Sequence, residues 1–408
     1  MNRNIPAIAA IFLFTTAAWV ILGSSIMVRT QTADKDLSAR VASTWGQPQQ
    51  QSVPAAFTSR TVQKQVRETY DQRATTRIVE ETINTPLPLE QSRVHVVLNL
   101  EQRQKGLLWF PTYRVDFRGA YVFRNTTADN DVVIKVPLPV QDAIYDDLIV
   151  RADGQRIDIN MTGGSIVTKL QRPPGSLTRL EVGYKSQGMQ RWTYSFGENV
   201  SQVRDFDLEM ETDFSAIDFP GDTISPTSKR PTRSGWLLAW RYNNLLTGYK
   251  IGMLLPEKLQ PGPLAERISF FAPVSLLFFF FLMVVITALK AIELRPVHYF
   301  FLATSFFAFH LLLAYLVDHI SIHAAFAICS AVSIFLVVSY LRIVVGPRFA
   351  FVEAASAQFI YLVLFSYAFF FKGFTGLAIT IGAIVTLFVV MQVTARRERA
   401  VTQAVQPA

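Results

Sequence analysis

Hydrophobic residues are distributed along the chain in two ways. Near the N-terminus and over the C-terminal third they form six long stretches, whereas between residues 29 and 267 they are mixed with polar residues. A helix needs about 20 apolar residues to cross the hydrocarbon core of a membrane. The stretches that meet this requirement are Ile5–Val28, Ile268–Leu289, Pro296–Val317, Ile320–Leu341, Phe349–Phe371 and Gly373–Ala395. The pattern predicts an N-terminal transmembrane anchor (residues 1–28) and a bundle of five transmembrane helices (residues 268–395).

The first stretch has the length of an anchor that stays in the mature protein. Secretory signal peptides have apolar regions of about 7–15 residues followed by a small-residue cleavage site. Here the apolar run continues from Ile5 to Val28, no clean A-x-A site follows it, and the small-residue group Gly23-Ser24-Ser25 lies well inside it. We therefore favour an uncleaved anchor over the alternative of a cleaved signal peptide.

The basic residues of the short loops predict the orientation of these helices. Cytoplasmic loops of membrane proteins carry an excess of Lys and Arg. With a cytoplasmic N-terminus, the loops on that side contain Arg3, Lys290, Arg295, Arg342, Arg348, Arg396, Arg397 and Arg399, and the short outer loops contain only Lys372. We expect both termini in the cytoplasm, residues 396–408 as a cytoplasmic tail, and residues 29–267 on the outer side of the membrane.

The long outer region changes its pattern near Arg93. Residues 29–92 are predicted as a linker or helical segment, with a helix, a loop and a second helix or strand. From residue 93 to residue 267, short runs alternate apolar and polar residues, as in Tyr113–Arg118, and Gly, Pro and Asn separate the runs. Such alternation is typical of antiparallel strands. The predicted fold class is therefore an α+β membrane protein with a β-sandwich-like outer domain.

One predicted strand, Arg204–Phe214, carries a carboxylate at every second position. Alternate residues of a strand share a face, so these side chains form one acidic stripe: Asp205, Asp207, Glu209, Glu211 and Asp213. The favoured interpretation is a solvated sheet face neutralised by neighbours such as Arg179 and Lys185. The alternative is a surface that binds a divalent cation or a basic partner.

Titratable residues are concentrated in one part of the predicted membrane region: His310, Asp318, His319 and His323. A titratable group inside a bilayer is costly, so it is a functional candidate by default. A histidine beside a carboxylate can relay protons. The favoured interpretation is structural: Asp318, His319 and His323 lie at the outer interface, and His310 makes a hydrogen bond between helices.

Composition narrows the function classes further. Charged residues make up 17% of the chain, against about 25% in soluble domains. The net charge of +8 includes residues that set membrane topology, so it does not indicate a nucleic-acid partner. One cysteine excludes a disulfide framework. We find no phosphate-binding loop, dinucleotide fingerprint, zinc motif or nucleophile elbow, and we expect no enzymatic activity, cofactor or metal.

Three segments resemble the CreD family of bacterial inner-membrane proteins. They are Trp45-Gly46-Gln47-Pro48-Gln49, Gly106–Tyr113, and Leu294–Phe300 with Ala314–His319. The chain departs from the family at residues 214–220, where members often have a Trp-Pro-x-Pro-Ser-Phe segment, and it resembles a short, divergent member. The resemblance implies a role in cell-envelope integrity and stress response, without an established enzymatic activity. Asp318-His319 is the position to which the family's motif is most readily transferred.

These observations lead to three functional hypotheses. The favoured one is a non-enzymatic protein of the bacterial inner membrane that supports envelope integrity through its periplasmic β-domain. The second is a small proton-linked transporter or channel that uses the intramembrane His and Asp residues. The third is an envelope-stress sensor that acts through a membrane partner. Expected partners are membrane lipid, a periplasmic or membrane protein and a second copy of the chain.

Overall fold

A computed structural model describes residues 5–70, 73–105, 108–197, 201–371 and 373–405, with side chains described for all of these except residues 64–78, 201 and 397–405. Arg3, Gly106, Leu107 and Lys372, which entered the predictions above, lie outside the described residues. The chain forms two compact units. The helical unit contains residues 1–36, 106–108 and 259–408, and the β unit contains residues 37–105 and 109–258.

Within the described residues, six helices are long and apolar enough to cross a membrane, as in a multi-pass membrane protein. They are α1 (Ile5–Thr44), α2 (Pro261–Leu289), α3 (Pro296–Leu316), α4 (Ile322–Val344), α5 (Phe349–Phe370) and α6 (Thr375–Val405). A proline at the first helical position begins α2 and α3, where its missing N–H costs nothing. Turns of π-helix, Phe349–Ala354 and Phe359–Leu364, interrupt α5.

The first helix extends well beyond the predicted anchor. It continues from Val28 to Thr44, because residues 29–44 contain neither Gly nor Pro. It ends just before Gly46, which has a φ of 149°. A Cβ there would collide with the backbone of Gln187 and Gly188, so glycine is required at this end of the helix.

The described residues of the β unit form sixteen strands. They are β1 (Gln49–Ser52), β2 (Ala55–Tyr70), β3 (Arg73–Pro86), β4 (Leu89–Lys105), β5 (Leu108–Arg124), β6 (Asp131–Pro137), β7 (Tyr145–Ala152), β8 (Gln155–Arg156), β9 (Met161–Thr162), β10 (Ser165–Gln171), β11 (Leu177–Met189), β12 (Arg191–Ser195), β13 (Ser201–Thr212), β14 (Ser228–Pro231), β15 (Trp236–Thr247) and β16 (Ile251–Leu254). Residues 29–92, predicted as a linker or helical segment with a helix, a loop and a second helix or strand, contain the end of α1 and, from Gln49 onward, strands β1 to β3 and the first residues of β4.

The strands belong to three sheets. The largest has eight strands in the order β14-β15-β13-β4-β5-β11-β7-β8, the second has the order β3-β2-β6-β10-β9, and the third has the order β1-β12-β16. Most pairs are antiparallel, whereas β13 runs parallel to β4 and β1 runs parallel to β12. One hydrophobic core receives side chains from all three sheets, including Phe117, Ile134, Trp192, Leu208 and Trp240. The opposite face of the eight-stranded sheet carries charged residues.

Candidate functional site

A cavity of the β unit lies on the charged face of the eight-stranded sheet. Its volume is about 700 Å³, and residues of β4, β5, β7, β11 and β13 line it. Each of these strands alternates core residues with residues on this face; in β13, for example, Leu208 is buried between Asp207 and Glu209. The five strands therefore form a trough with a floor of backbone and with charged walls. We call this surface the sheet trough.

The core directly beneath the sheet trough is tightly packed. The rings of Phe117 and Tyr184 stack with their centroids 5.0 Å apart, and the buried Tyr184 hydroxyl donates a hydrogen bond of 2.7 Å to Gln51 Oε1. Burial raises the pKa of the Tyr184 hydroxyl well above its usual value. Gly183 leaves the floor open, because it has no side chain; a Cβ there would make only an ordinary contact of 3.6 Å with Phe117 O.

The acidic stripe of β13 contributes to the trough only in part. Asp207 and Glu209 line the cavity, and both accept hydrogen bonds from Arg241, at 3.2 Å and 2.5 Å. Asp205 has a φ of 40° and binds Arg93, with 2.7 Å between Oδ1 and Nη2. Hydrogen bonds from Arg93 and Gln91 hold the pKa of the Asp205 carboxyl below its usual value.

Like Asp205, the remaining members of the acidic stripe, Glu211 and Asp213, are not among the residues that line the trough. Asp213 accepts a hydrogen bond of 2.8 Å from the backbone N–H of Leu100. Glu211 is exposed, and the residues that the structure describes include no ion-pair partner for it.

The neutralising neighbours of the acidic stripe differ from those expected. Arg93 and Arg241 take this role because β4 and β15 are the strands that pair with β13. Arg179 and Lys185 belong to β11, which β4 and β5 separate from β13. Lys185 instead binds Asp147 at 2.6 Å. That contact raises the pKa of the Lys185 amine and lowers the pKa of the Asp147 carboxyl.

Positive and negative side chains alternate across the whole trough. Arg118 lies 3.3 Å from Asp116, and Arg151 lies 4.0 Å from Glu181. The trough thus presents paired charges of both signs rather than a field of one sign. A glycine could have indicated this surface in the sequence: Gly183 interrupts the alternating run Leu180–Lys185, and glycine inside a strand often marks a close approach.

The four titratable residues singled out in the membrane region lie in separate environments. Among the described residues, no hydrogen bond, ion pair or ring contact joins any two of these side chains. Asp318 forms an ion pair with Arg29, and the His323 ring lies 5.1 Å from the ring of Phe370. His319 is exposed. In the described part of the chain, no group of three or more His, Cys, Asp or Glu side chains could hold a metal ion.

His310 is the buried member of this set. Its Nδ1 lies 2.9 Å from the carbonyl oxygen of Phe306, and since a carbonyl only accepts, Nδ1 carries the hydrogen. Its ring contacts Trp19 and Phe309 edge to face, with centroid distances of 5.6 Å and 4.9 Å. His310 Nε2 and Trp19 Nε1 are buried and have no hydrogen-bond partner in the described structure.

Two of the three segments that carry the family resemblance take structural positions in the β unit. The buried Gln49 side chain donates hydrogen bonds to Ser186 Oγ at 2.9 Å and to the carbonyl oxygen of Gln187 at 2.8 Å. The Tyr113 hydroxyl donates to the carbonyl oxygen of Arg191 at 2.8 Å. These contacts join the beginning of the β unit to the region where β11 ends and β12 begins.

Comparisons with known proteins give no family. No family model matches the chain, and no curated protein matches it. Among solved structures, an M1 zinc metallopeptidase mutant from Deinococcus radiodurans bound to a Tyr-Ser-Ala substrate matches at 10% identity with a TM-score of 0.29. The M1 zinc metallopeptidase of the same organism matches at 10% identity with a TM-score of 0.27. Each match covers 42% of this chain and 42% of the other. Likeness of this size implies neither a shared fold nor a shared activity.

Proposed function

We propose that this chain is a non-enzymatic protein of the bacterial inner membrane that supports cell-envelope integrity by binding a partner in the sheet trough. In this proposal α1 is the anchor, both termini are cytoplasmic, and residues 29–267 form a periplasmic β-sandwich-like domain. The other five helices form the transmembrane bundle. The resemblance to the CreD family supports the envelope role, and the excess of basic residues in the short loops supports the orientation.

The observation that carries the proposal is the sheet trough itself. Its cavity of about 700 Å³ falls within the range of ligand pockets, about 300–1,000 Å³. The charged side chains of the trough are already paired with each other. A ligand with charge of only one sign would therefore gain little binding free energy from them. A polypeptide surface that carries both positive and negative side chains can form new ion pairs with these residues in place of the existing ones. This supports a protein partner.

Filling the trough tests the proposal. Gly183→Trp places an indole in the cavity without a backbone clash, and Lys169→Trp places the same indole on an exposed position of β10 as a control. We expect Gly183→Trp, at wild-type membrane abundance, to lose rescue of an envelope-stress defect in a strain that lacks the gene, and Lys169→Trp to retain it. Full rescue by Gly183→Trp would exclude the trough as the binding surface.

A second candidate function is proton-linked transport, and one observation favours it. His310 Nε2 and Trp19 Nε1 are unpartnered polar atoms in the buried core of the helical unit. A transport role requires proton flux in proteoliposomes that is absent with the His310→Leu variant. If the proton flux is the same in protein-free vesicles, in vesicles with wild type and in vesicles with His310→Leu, this candidate is excluded. That outcome leaves the binding function unaffected.

A further inference from the structure

A groove runs along the surface of the helical unit between α3 and α4. Its volume is about 460 Å³, and Thr304 and Ala308 of α3 face Ser339 and Arg342 of α4 across it. The contacts between these helices pair His298 with Tyr340, Ser305 with Ser333 and Phe309 with Phe326. The numbers fall on α4 as they rise on α3, so the helices are antiparallel, and the first turn of α3 lies beside the last turn of α4.

The walls of the groove suit a hydrocarbon chain. Its hydroxyl groups are bonded to carbonyl oxygens of their own helices: Thr304 to Phe300 at 2.9 Å, Ser305 to Phe301 at 2.9 Å, and Ser339 to Leu336 at 3.0 Å. No hydroxyl of this set therefore needs water or a polar ligand. The groove lies within two membrane-spanning helices, where the surrounding solvent is lipid.

Positive charge lies at the end of the groove that Arg342 lines, and Arg295 precedes α3 at the same end. Arg342 lies in the last turn of α4, and Arg295 is the residue before the first turn of α3. Both are exposed, and neither has an ion-pair partner in the part of the chain that the structure describes. Glu353, a nearby acidic residue in sequence, is paired with Lys290.

Two further features favour an anion at this end. The N-terminus of α3 adds the partial positive charge of its free N–H groups. His298 Nδ1 and the Tyr340 hydroxyl lie 2.7 Å apart and hold the two helices together beside the arginines.

We propose that the groove binds an acyl chain of an anionic glycerophospholipid whose phosphate lies against Arg342 and Arg295. The apolar length of the groove receives the chain, and the basic end receives the headgroup. The inference depends on α3 and α4 spanning the membrane and not on the sheet trough, so the two proposals fail independently.

Native mass spectrometry of the full chain released from nanodiscs tests this site. The nanodiscs contain equal amounts of phosphatidylglycerol and phosphatidylcholine, and the readout is the number of each lipid retained. We expect wild type to retain phosphatidylglycerol preferentially. The Arg342→Gln and Arg295→Gln variants should each weaken this preference about five-fold, since a basic residue near an anionic headgroup contributes about that factor. Arg396→Gln, which removes an exposed charge from α6, is the control and should behave as wild type.

A second pair of variants separates the chain from the headgroup. Ala308→Phe and Thr304→Phe fill the groove from two positions on α3 and should reduce retention of both lipids while the arginines remain. Having two positions keeps the test decisive if one variant fails to fold. Retention of both lipids at wild-type levels in a folded filled variant would overturn the proposal. So would an equal loss of preference in Arg396→Gln, which would indicate a general effect of net charge.

Discussion

Arg29 Nη1 lies 3.0 Å from Asp318 Oδ2, which joins α1 to the residues that follow α3. The same guanidinium donates a hydrogen bond to the carbonyl oxygen of Ala314 and lies 5.4 Å from the ring centroid of Tyr315. A cation at the C-terminal end of a helix also interacts favourably with the helix dipole. Asp318, which the sequence offered as a functional candidate, thus has a structural partner.

This geometry predicts unequal effects of removing the two partners. The side chains of Arg29 and Asp318 are 42% and 40% exposed, and ion pairs that exposed contribute about 0–1 kcal/mol. Asp318→Asn removes only that pair, whereas Arg29→Gln also removes the carbonyl, ring and dipole interactions. We expect Arg29→Gln to lower the melting temperature in detergent more than Asp318→Asn. An effect of Asp318→Asn equal to or larger than that of Arg29→Gln would assign Asp318 another partner.

The buried environment of His310 predicts which substitutions the helical unit tolerates. Leu at this position removes an unpartnered nitrogen and keeps contact with Trp19 and Phe309, whereas Lys places a charge in an apolar core. His310→Leu should reach wild-type abundance in membranes and unfold within about 1 kcal/mol of wild type. His310→Lys should be much less abundant. Quantitative immunoblotting and thermal unfolding in detergent measure both, and equal abundance of the two variants would show that water reaches the site.

The membrane segments could be predicted because their physical requirement is simple. A spanning helix needs only apolar length, and a proline at N1 marks its beginning; α3, for example, was predicted as Pro296–Val317 and is observed as Pro296–Leu316. The strands after Gln49 were harder to predict because the side chains described at residues 59–63 and 79–86 are all exposed. Only Ala55–Thr58 of β2 pair with β6, and from Ser59 onward β2 pairs with β3 alone. Val62, Val79 and Ile83 remain exposed there, so no apolar alternation marks the strands.

The sheet trough was beyond the reach of sequence patterns for another reason. Its ion pairs join strands that are far apart in the chain, such as Arg93 with Asp205. The acidic stripe of β13 is visible in one segment, but its partners depend on which strands lie beside it. Strand order is a property of the whole sheet, so the residue pattern of one segment does not reveal which strands lie beside it.

The Asp205–Arg93 pair predicts a pH dependence of stability. The pKa of the Asp205 carboxyl is lowered in the folded state, so the contribution of the ionised carboxyl is fully present above the usual Asp value of 3.8 and is lost as the pH falls through the lower folded value. The stability difference between wild type and Asp205→Asn should be constant from neutral pH to about pH 5 and should then disappear in acid. Glu211→Gln is the control, since Glu211 is exposed on the same strand. Denaturant unfolding at each pH measures both, and a difference that grows in acid would contradict the assignment.

Replacing glycine by alanine should have a large effect on the free energy of unfolding at one position of the β unit and a small effect at another. A Cβ at Gly235 would lie 2.7 Å from the carbonyl carbon of Thr212 and 2.8 Å from the amide nitrogen of Phe214. Both are backbone atoms, and the next amide, Trp236 N–H, donates a hydrogen bond of 3.0 Å to Thr212 Oγ1, so the strands must separate to admit a methyl group. We expect Gly235→Ala to lower the free energy of unfolding by about 1–3 kcal/mol.

Gly221→Ala is the matched substitution, because a Cβ at Gly221 meets nothing within 4 Å. It should leave stability unchanged or raise it by about 0.4–1 kcal/mol, since alanine reduces the freedom of the unfolded chain. Urea unfolding of the full chain in detergent, followed by tryptophan fluorescence, measures both variants. Equal stability of the two would mean that β13 and β15 are separated more widely at Gly235 than the register indicates.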